Sequence, residues 1–223
     1  MRISVRRATG RAAMVSVLVA LVVAFAAPPA RVAATAAKRT TCSTVDFLKD
    51  ARLGPKRLPS SGPLASVLAG WERLAGKTPK GYLRTFYDTG AKSWRYPPQG
   101  GYQITPEGQP VKMQLSLFAG QRVDRFGSEF GGYLSPEGTP YGARGIPPQS
   151  LDSATAPASC NYSRYKVLQT FPVYSGPIAP ALGQPGFGLQ YVLDATIFPG
   201  APDPKAFNVG YLVANGFLER VAG

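Results

Sequence analysis

Turn-forming clusters cut the chain after Trp94 into short pieces. Pro97-Pro98-Gln99-Gly100-Gly101, Ser135-Pro136-Glu137-Gly138, Ile146-Pro147-Pro148 and Gln184-Pro185-Gly186-Phe187-Gly188 each gather residues that end helices and strands. Short strands fit between such stops, and long helices do not. Val111, Met113, Leu115 and Leu117 alternate with polar residues, which predicts a half-buried strand. Tyr165 to Phe171 and Leu189 to Val192 read as further strands, and Val209 to Ala214 as a last helical turn ended by Gly216. Gly and Pro together make 47 of 223 residues, short of the level that signals disorder. With 44% hydrophobic residues the chain has enough to bury a core.

Upstream the period changes. From Cys42 to about Thr89 the chain reads as mostly helical. Leu64, Val67, Leu68, Trp71 and Leu74 recur at helical spacing, with Pro63 in a first turn and Gly76 as a stop. Thr78-Pro79 opens a second short helix carrying Leu83, Phe86 and Tyr87. The expected architecture is an N-terminal helical segment over 37–92 and a strand-rich part over 93–223.

The first 36 residues read as an address. Arg2, Arg6, Arg7 and Arg11 precede an uncharged run from Ala12 to Ala27, and small-x-small sites follow at Ala24-Phe25-Ala26 and Ala34-Thr35-Ala36. That is the layout of a secretory signal peptide, 1–36, and the apolar run is short for a stable membrane span. Removing its five arginines leaves 20 Lys and Arg against 12 Asp and Glu, so the formal charge falls from +13 to +8. This excess suits an anionic partner, yet no basic run with interleaved aromatics marks a nucleic-acid groove. The expected location is extracellular. Export permits a disulfide, and Cys42 and Cys160 are the only cysteines. A Cys42–Cys160 bridge is therefore expected, with two buried thiols as the alternative.

The chain has no histidine. That excludes Ser-His-Asp and Cys-His catalysis and His-zinc sites. The 12 carboxylates form no paired motif, and Asp194 and Asp203 stand in no calcium loop. Two stretches could carry chemistry. In Asp124-Arg125-Phe126-Gly127, an arginine fork can grip a phosphate, a ring can stack on a flat ligand, and glycine lets backbone approach. The plain alternative is a strand end with a surface arginine paired to Asp124 or Glu129. The second stretch runs from Gly183 through Pro185-Gly186 to Gln190. A glutamine there can orient a hydroxyl or a water.

These stretches occur in a particular order. Tyr96-Pro97-Pro98 is followed by Asp124-Arg125-Phe126-Gly127, Gly138-Thr139-Pro140-Tyr141 and Arg144-Gly145-Ile146-Pro147-Pro148. Gly176-Pro177-Ile178-Ala179-Pro180, Gly183-Gln184-Pro185-Gly186 and Gln190 complete the series. The series resembles the tuberculosis necrotizing toxin domain family of NAD glycohydrolases over about Trp94 to Val221. Leu53-Gly54-Pro55 and Trp71-Glu72-Arg73 look more like the secreted fungal members. The resemblance implies an α+β fold around a small twisted, mostly antiparallel sheet with an N-terminal helical subdomain. It also implies Arg125 and Gln190 as catalytic residues, and Phe126, Gly127, Tyr133 and Arg144 as substrate-binding residues. Arg144 has two readings, a second phosphate contact or a structural role. NAD or NADP enters as substrate and no cofactor is expected, with calcium, associated with fungal relatives, as the open alternative. Some relatives carry a histidine near the strand matching Tyr162 to Val167, and this chain has none. ADP-ribosyl transfer to a protein and non-enzymatic binding of anionic surfaces are the competing functions. Whether an immunity partner exists is not readable.

Overall fold

A computed structural model describes residues 38–152 and 156–221. The expected leader, 1–36, lies outside the described residues. Among the described residues, no helix is long and apolar enough to cross a membrane.

The chain runs through helix α1 (Pro63–Val67), helix α2 (Pro79–Phe86) and a two-residue ladder of β1 (Tyr87–Asp88) with β2 (Ser93–Trp94). Then come β3 (Met113–Leu117), β4 (Arg122–Phe126), β5 (Tyr133–Pro136), β6 (Tyr162–Val167), β7 (Phe171–Pro177) and β8 (Leu189–Val192). Helix α3 (Val209–Ala214) and β9 (Leu218–Val221) close the described chain. Seven strands form one antiparallel sheet in the order β3-β7-β8-β5-β4-β6-β9. The fold is α+β, as the resemblance implied.

Strands β3 and β8 and helix α3 occur where the periodicity placed them. The stretch from Tyr165 to Phe171 does not form one strand. β6 ends at Val167 and β7 starts at Phe171, with a turn between them. β7 continues through Gly176-Pro177, where its partner β8 holds Gly176 opposite Gln190.

Helix is also shorter upstream than the apolar stripe suggested. α1 ends at Val67, and Gly70, Ala75 and Gly76 then take left-handed backbone. Trp71 and Leu74 reach apolar neighbours from turns rather than from a helix. α2 is better defined at its start, where Thr78 Oγ1 accepts a bond from Gly81 N at 3.1 Å and Pro79 fills the first turn. Asn208 caps α3 in the same way through Tyr211 N at 2.9 Å.

Two apolar clusters sandwich the centre of the sheet. Val123 of β4, Leu134 of β5, Tyr165 of β6 and Tyr191 of β8 face the cluster that includes α3 residues Val209 and Leu212. Each such fully buried side chain contributes roughly 1.5–3 kcal/mol. Phe126, on the opposite face of β4, joins Tyr141, Leu64, Val67 and the two cysteines. Cys42 and Cys160 are bridged, which closes a loop of 118 residues and fixes the upstream segment to the start of β6. Two contacts add to that attachment: Tyr82 Oη donates to Leu182 O and Gln184 Nε2 donates to Glu72 O; within the upstream segment Arg73 donates to Leu53 O and Pro55 O.

Candidate active site

Side chains alternate across a strand, so the partners of core-facing Val123, Leu134 and Tyr191 point the other way. On that face Gln190, Ser135, Asp124 and Phe126 line a cavity of about 600 Å³. The loop Tyr96–Gly101, Tyr133 and the turns around Gly145 and Ala179 complete the wall. All six residues expected to act on substrate lie in this one lining: Arg125, Gln190, Phe126, Gly127, Tyr133 and Arg144.

Arg125 reaches the cavity by an irregular route. β4 and β5 pair only at Val123–Pro136 and Asp124–Ser135. Beyond Asp124 the two strands part, and the Arg125 guanidinium spans the opening. Its Nη1 donates to Tyr133 O at 2.7 Å and its Nε to Gly127 O at 3.2 Å. The side chain thus replaces ladder bonds that the parted strands do not make to each other. Arg125 is only 9% exposed, and among the described residues no carboxylate lies within ion-pair distance of it. Burial pulls its pKa below the ordinary arginine value. A buried cation without an acid in ion-pair distance, bordering a cavity, has the charge to receive an anion there.

The acids that could have neutralised Arg125 are engaged elsewhere. Asp124 is wholly buried and pairs with Arg144 Nη2 at 2.7 Å. It also accepts from Tyr162 Oη at 2.7 Å and from Gly138 N at 2.8 Å. Burial pushes the Asp124 carboxyl above its usual range, and Arg144 is the main opposing influence. Glu129 accepts from Tyr165 Oη and from Arg220, which hold its carboxyl low despite partial burial. The surface pairing of Arg125 with Asp124 or Glu129 is therefore not what the structure has.

Arg144 shows which of its two readings the contacts favour. Besides Asp124, its Nε and Nη2 both bond Thr139 O, at 3.0 and 2.7 Å, and its guanidinium lies 5.1 Å from the Phe126 ring centre. Those donors serve the protein, which supports a structural role. Tyr141 and Tyr162 hold Phe126 from two further directions, with ring centres 4.7 and 4.8 Å away. Trp71 packs on the far side of Tyr141 at 4.8 Å, so the upstream segment buttresses the cavity wall.

Gln190 is 6% exposed, and its Nε2 donates to Gly100 O at 3.1 Å. That bond fixes the amide, because a carbonyl accepts only from the NH₂ end. Oε1 takes no hydrogen bond among the described residues and is left to the cavity. Tyr133 stands half-exposed at the rim. On β6, the strand where the resemblance set a histidine of some relatives, Ser163 sits opposite Arg125 and Arg164 opposite Asp124. The described residues contain no group of three acids or cysteines able to hold a metal ion.

Sequence reasoning missed Asp124 and Tyr162 as the partners that fix Arg144 and Phe126. Their contacts link residues up to 38 positions apart, and only the register of β4 with β6 brings them together. It also missed Gly100, whose carbonyl is the anchor for Gln190.

Comparison with known proteins bears on this geometry. Residues 116–221 match the family described as tuberculosis necrotizing toxin. The conidial surface nicotinamide adenine dinucleotide glycohydrolase nadA of Aspergillus fumigatus is 36% identical over 174 residues, which cover 77% of this chain and 69% of that protein. Among solved structures, tuberculosis necrotizing toxin complexed with its immunity factor overlaps with a TM-score of 0.49 at 19% identity, over 82% of this chain and all of that one.

Proposed function

The chain belongs to the tuberculosis necrotizing toxin family, and from that footing we propose that it is a secreted NAD glycohydrolase that serves as a toxin or NAD-depleting factor. It cleaves the bond between nicotinamide and ribose with water and releases nicotinamide and ADP-ribose. The observation that carries the chemistry is the buried Arg125, with no carboxylate in ion-pair distance among the described residues, in one cavity with Gln190 and two aromatic walls.

The reaction suits a site without histidine. In NAD the nicotinamide nitrogen is a pyridinium. When the bond to ribose C1′ breaks, the electron pair goes to that nitrogen and nicotinamide departs neutral, so no general acid is required. Positive charge builds on the ribose, and a water oxygen attacks C1′ and loses its proton to solvent. The protein's task is to position the dinucleotide, shelter the developing cation and admit one water.

Arg125 supplies the charge that receives the pyrophosphate, and its fixed position sets the ribose beside it. Gln190 Oε1, held by the bond to Gly100, accepts from a ribose hydroxyl or from the attacking water. Phe126 and Tyr133 wall the flat nicotinamide. Gly127 brings backbone close to the anion. Arg144 and Asp124 keep the Phe126 wall in place.

Transfer of ADP-ribose to a protein fits less well. An acceptor needs a base, and among the described residues the one carboxylate lining the cavity is Asp124, which Arg144 and Tyr162 already occupy. The test is to incubate the purified, oxidised 37–223 protein with NAD and follow nicotinamide and free ADP-ribose. Equal amounts of the two support hydrolysis. Label on protein supports transfer, and no nicotinamide rejects both.

A further inference from the structure

We propose that Gly131 is a positioning residue for Arg125, and that its lack of a side chain is what admits the guanidinium to its place. This rests on the reading that Arg125 receives the pyrophosphate. A Cβ at Gly131 would lie 2.3 Å from Arg125 Nη2, 2.9 Å from Nη1 and 3.0 Å from Cζ. These are overlaps with the whole planar head, not with one peripheral atom. Gly127 contributes the other wall, where a Cβ would lie 3.1 Å from Nη2. The guanidinium is thus held between two stretches of bare backbone.

The loop that carries Gly131 has little freedom to yield. Gly127 N donates to Asn161 O at 2.9 Å. Glu129 O accepts from Gly210 N at 2.9 Å, and Gly131 O accepts from Val209 N at 3.1 Å, so the start of α3 pins the loop from below. Gly132 O accepts from Leu193 N at 2.8 Å, which ties the far end to the exit of β8. Gly131 itself does not take left-handed backbone, so alanine fits its conformation there. Faced with an added methyl, the part that moves is the long arginine side chain. Gly131 does not line the cavity, and its influence on substrate passes through Arg125.

Gly132 is a control within the same loop. A Cβ there would meet Leu193 Cβ at 3.6 Å, an ordinary contact, and no part of Arg125 lies among its nearest atoms. It too lacks left-handed backbone.

The experiment compares Gly131→Ala with Gly132→Ala and the unaltered protein. Gly131→Ala is expected to raise the KM for NAD by about 10- to 100-fold. The inhibition constant of ADP-ribose, which shares the pyrophosphate, is expected to rise in step, and that of nicotinamide to stay unchanged. Gly132→Ala is expected to behave like the unaltered protein, with the melting temperatures of all three close together. A crystal structure of Gly131→Ala should show the guanidinium moved off Tyr133 O. The proposal is overturned if Gly131→Ala keeps its KM and its ADP-ribose inhibition, if both variants lose activity alike, or if the guanidinium stays in place while the loop rebuilds. Failure of the unaltered protein to release nicotinamide would instead reject the catalytic reading, and the crystal structure would still decide the position of Arg125.

Discussion

Asp124 and Arg144 meet at 2.7 Å with both side chains almost wholly shut away from solvent. The pair lines the cavity beside Phe126, with the Arg144 guanidinium 5.1 Å from the Phe126 ring centre. Removing one partner leaves the other as a buried, uncompensated charge, which typically costs about 3–5 kcal/mol. Arg144→Ala is therefore expected to lower stability by about that amount in urea unfolding at pH 7. The joint change Asp124→Asn with Arg144→Met is expected to recover part of the loss, because it leaves no charge behind.

Arg125 has the opposite relation between stability and function. It is a buried cation with no carboxylate in ion-pair distance among the described residues, and the proposed site uses it to hold an anion. Arg125→Met removes that buried charge together with its bonds to Tyr133 O and Gly127 O, so the two effects on stability oppose each other and the melting temperature is expected to change little. Nicotinamide release is expected to fall by on the order of 10²- to 10³-fold. Calorimetry and a product assay on one preparation check both halves.

Asp152 gives a pH signature. Burial, with Asp46 nearby, pushes its carboxyl up to about 6, and Arg73 opposes the rise only in part. Its Oδ2 is buried with no hydrogen-bond partner. Between about pH 4 and pH 6 the folded protein holds a proton that the unfolded chain has already lost, so stability falls as pH rises through that window. Asp152→Asn is expected to remove this slope. The variant should match the unaltered protein near pH 4 and exceed it by on the order of 1 kcal/mol above pH 6, the full shift being discounted for partial exposure.

The disulfide closes a loop of 118 residues, and Asn161, next to Cys160, holds Gly127 through its carbonyl. A loop of that length is worth about 4–5 kcal/mol on chain-entropy grounds. The Cys42→Ser, Cys160→Ser double variant is expected to lose most of this in urea unfolding. Reduction of the unaltered protein should give the same midpoint as the double variant.

What could be read from the chain alone follows from how local each cause is. β8 and α3 were legible because alternation and capping lie within a few residues. The long helix expected through Leu74 failed because Trp71 and Leu74 find the core from turns, so apolar spacing satisfied the packing without helical backbone. β4 was legible only as a strand end with a surface arginine, since its Asp124 and Arg125 are charged and become buried only through Arg144 and the parted end of β5. Order and spacing of motifs pointed to the six cavity residues. The engagement of Arg144 with Asp124 was not legible, because it joins residues 20 positions apart across a sheet and a turn. The confinement of Arg125 by Gly131 was equally hidden, since a missing side chain leaves no mark in a sequence rich in glycine.

The central claim is that Gln190, held through Gly100, works on NAD in the cavity that Arg125 borders. The most direct measurement is nicotinamide release from NAD by the purified, oxidised 37–223 protein and by its Gln190→Ala variant. The account predicts nicotinamide and ADP-ribose in equal amounts from the unaltered protein. For the variant it predicts the same melting temperature and a rate lower by at least about 10²-fold. Full activity in Gln190→Ala, or no nicotinamide from the unaltered protein, would contradict it.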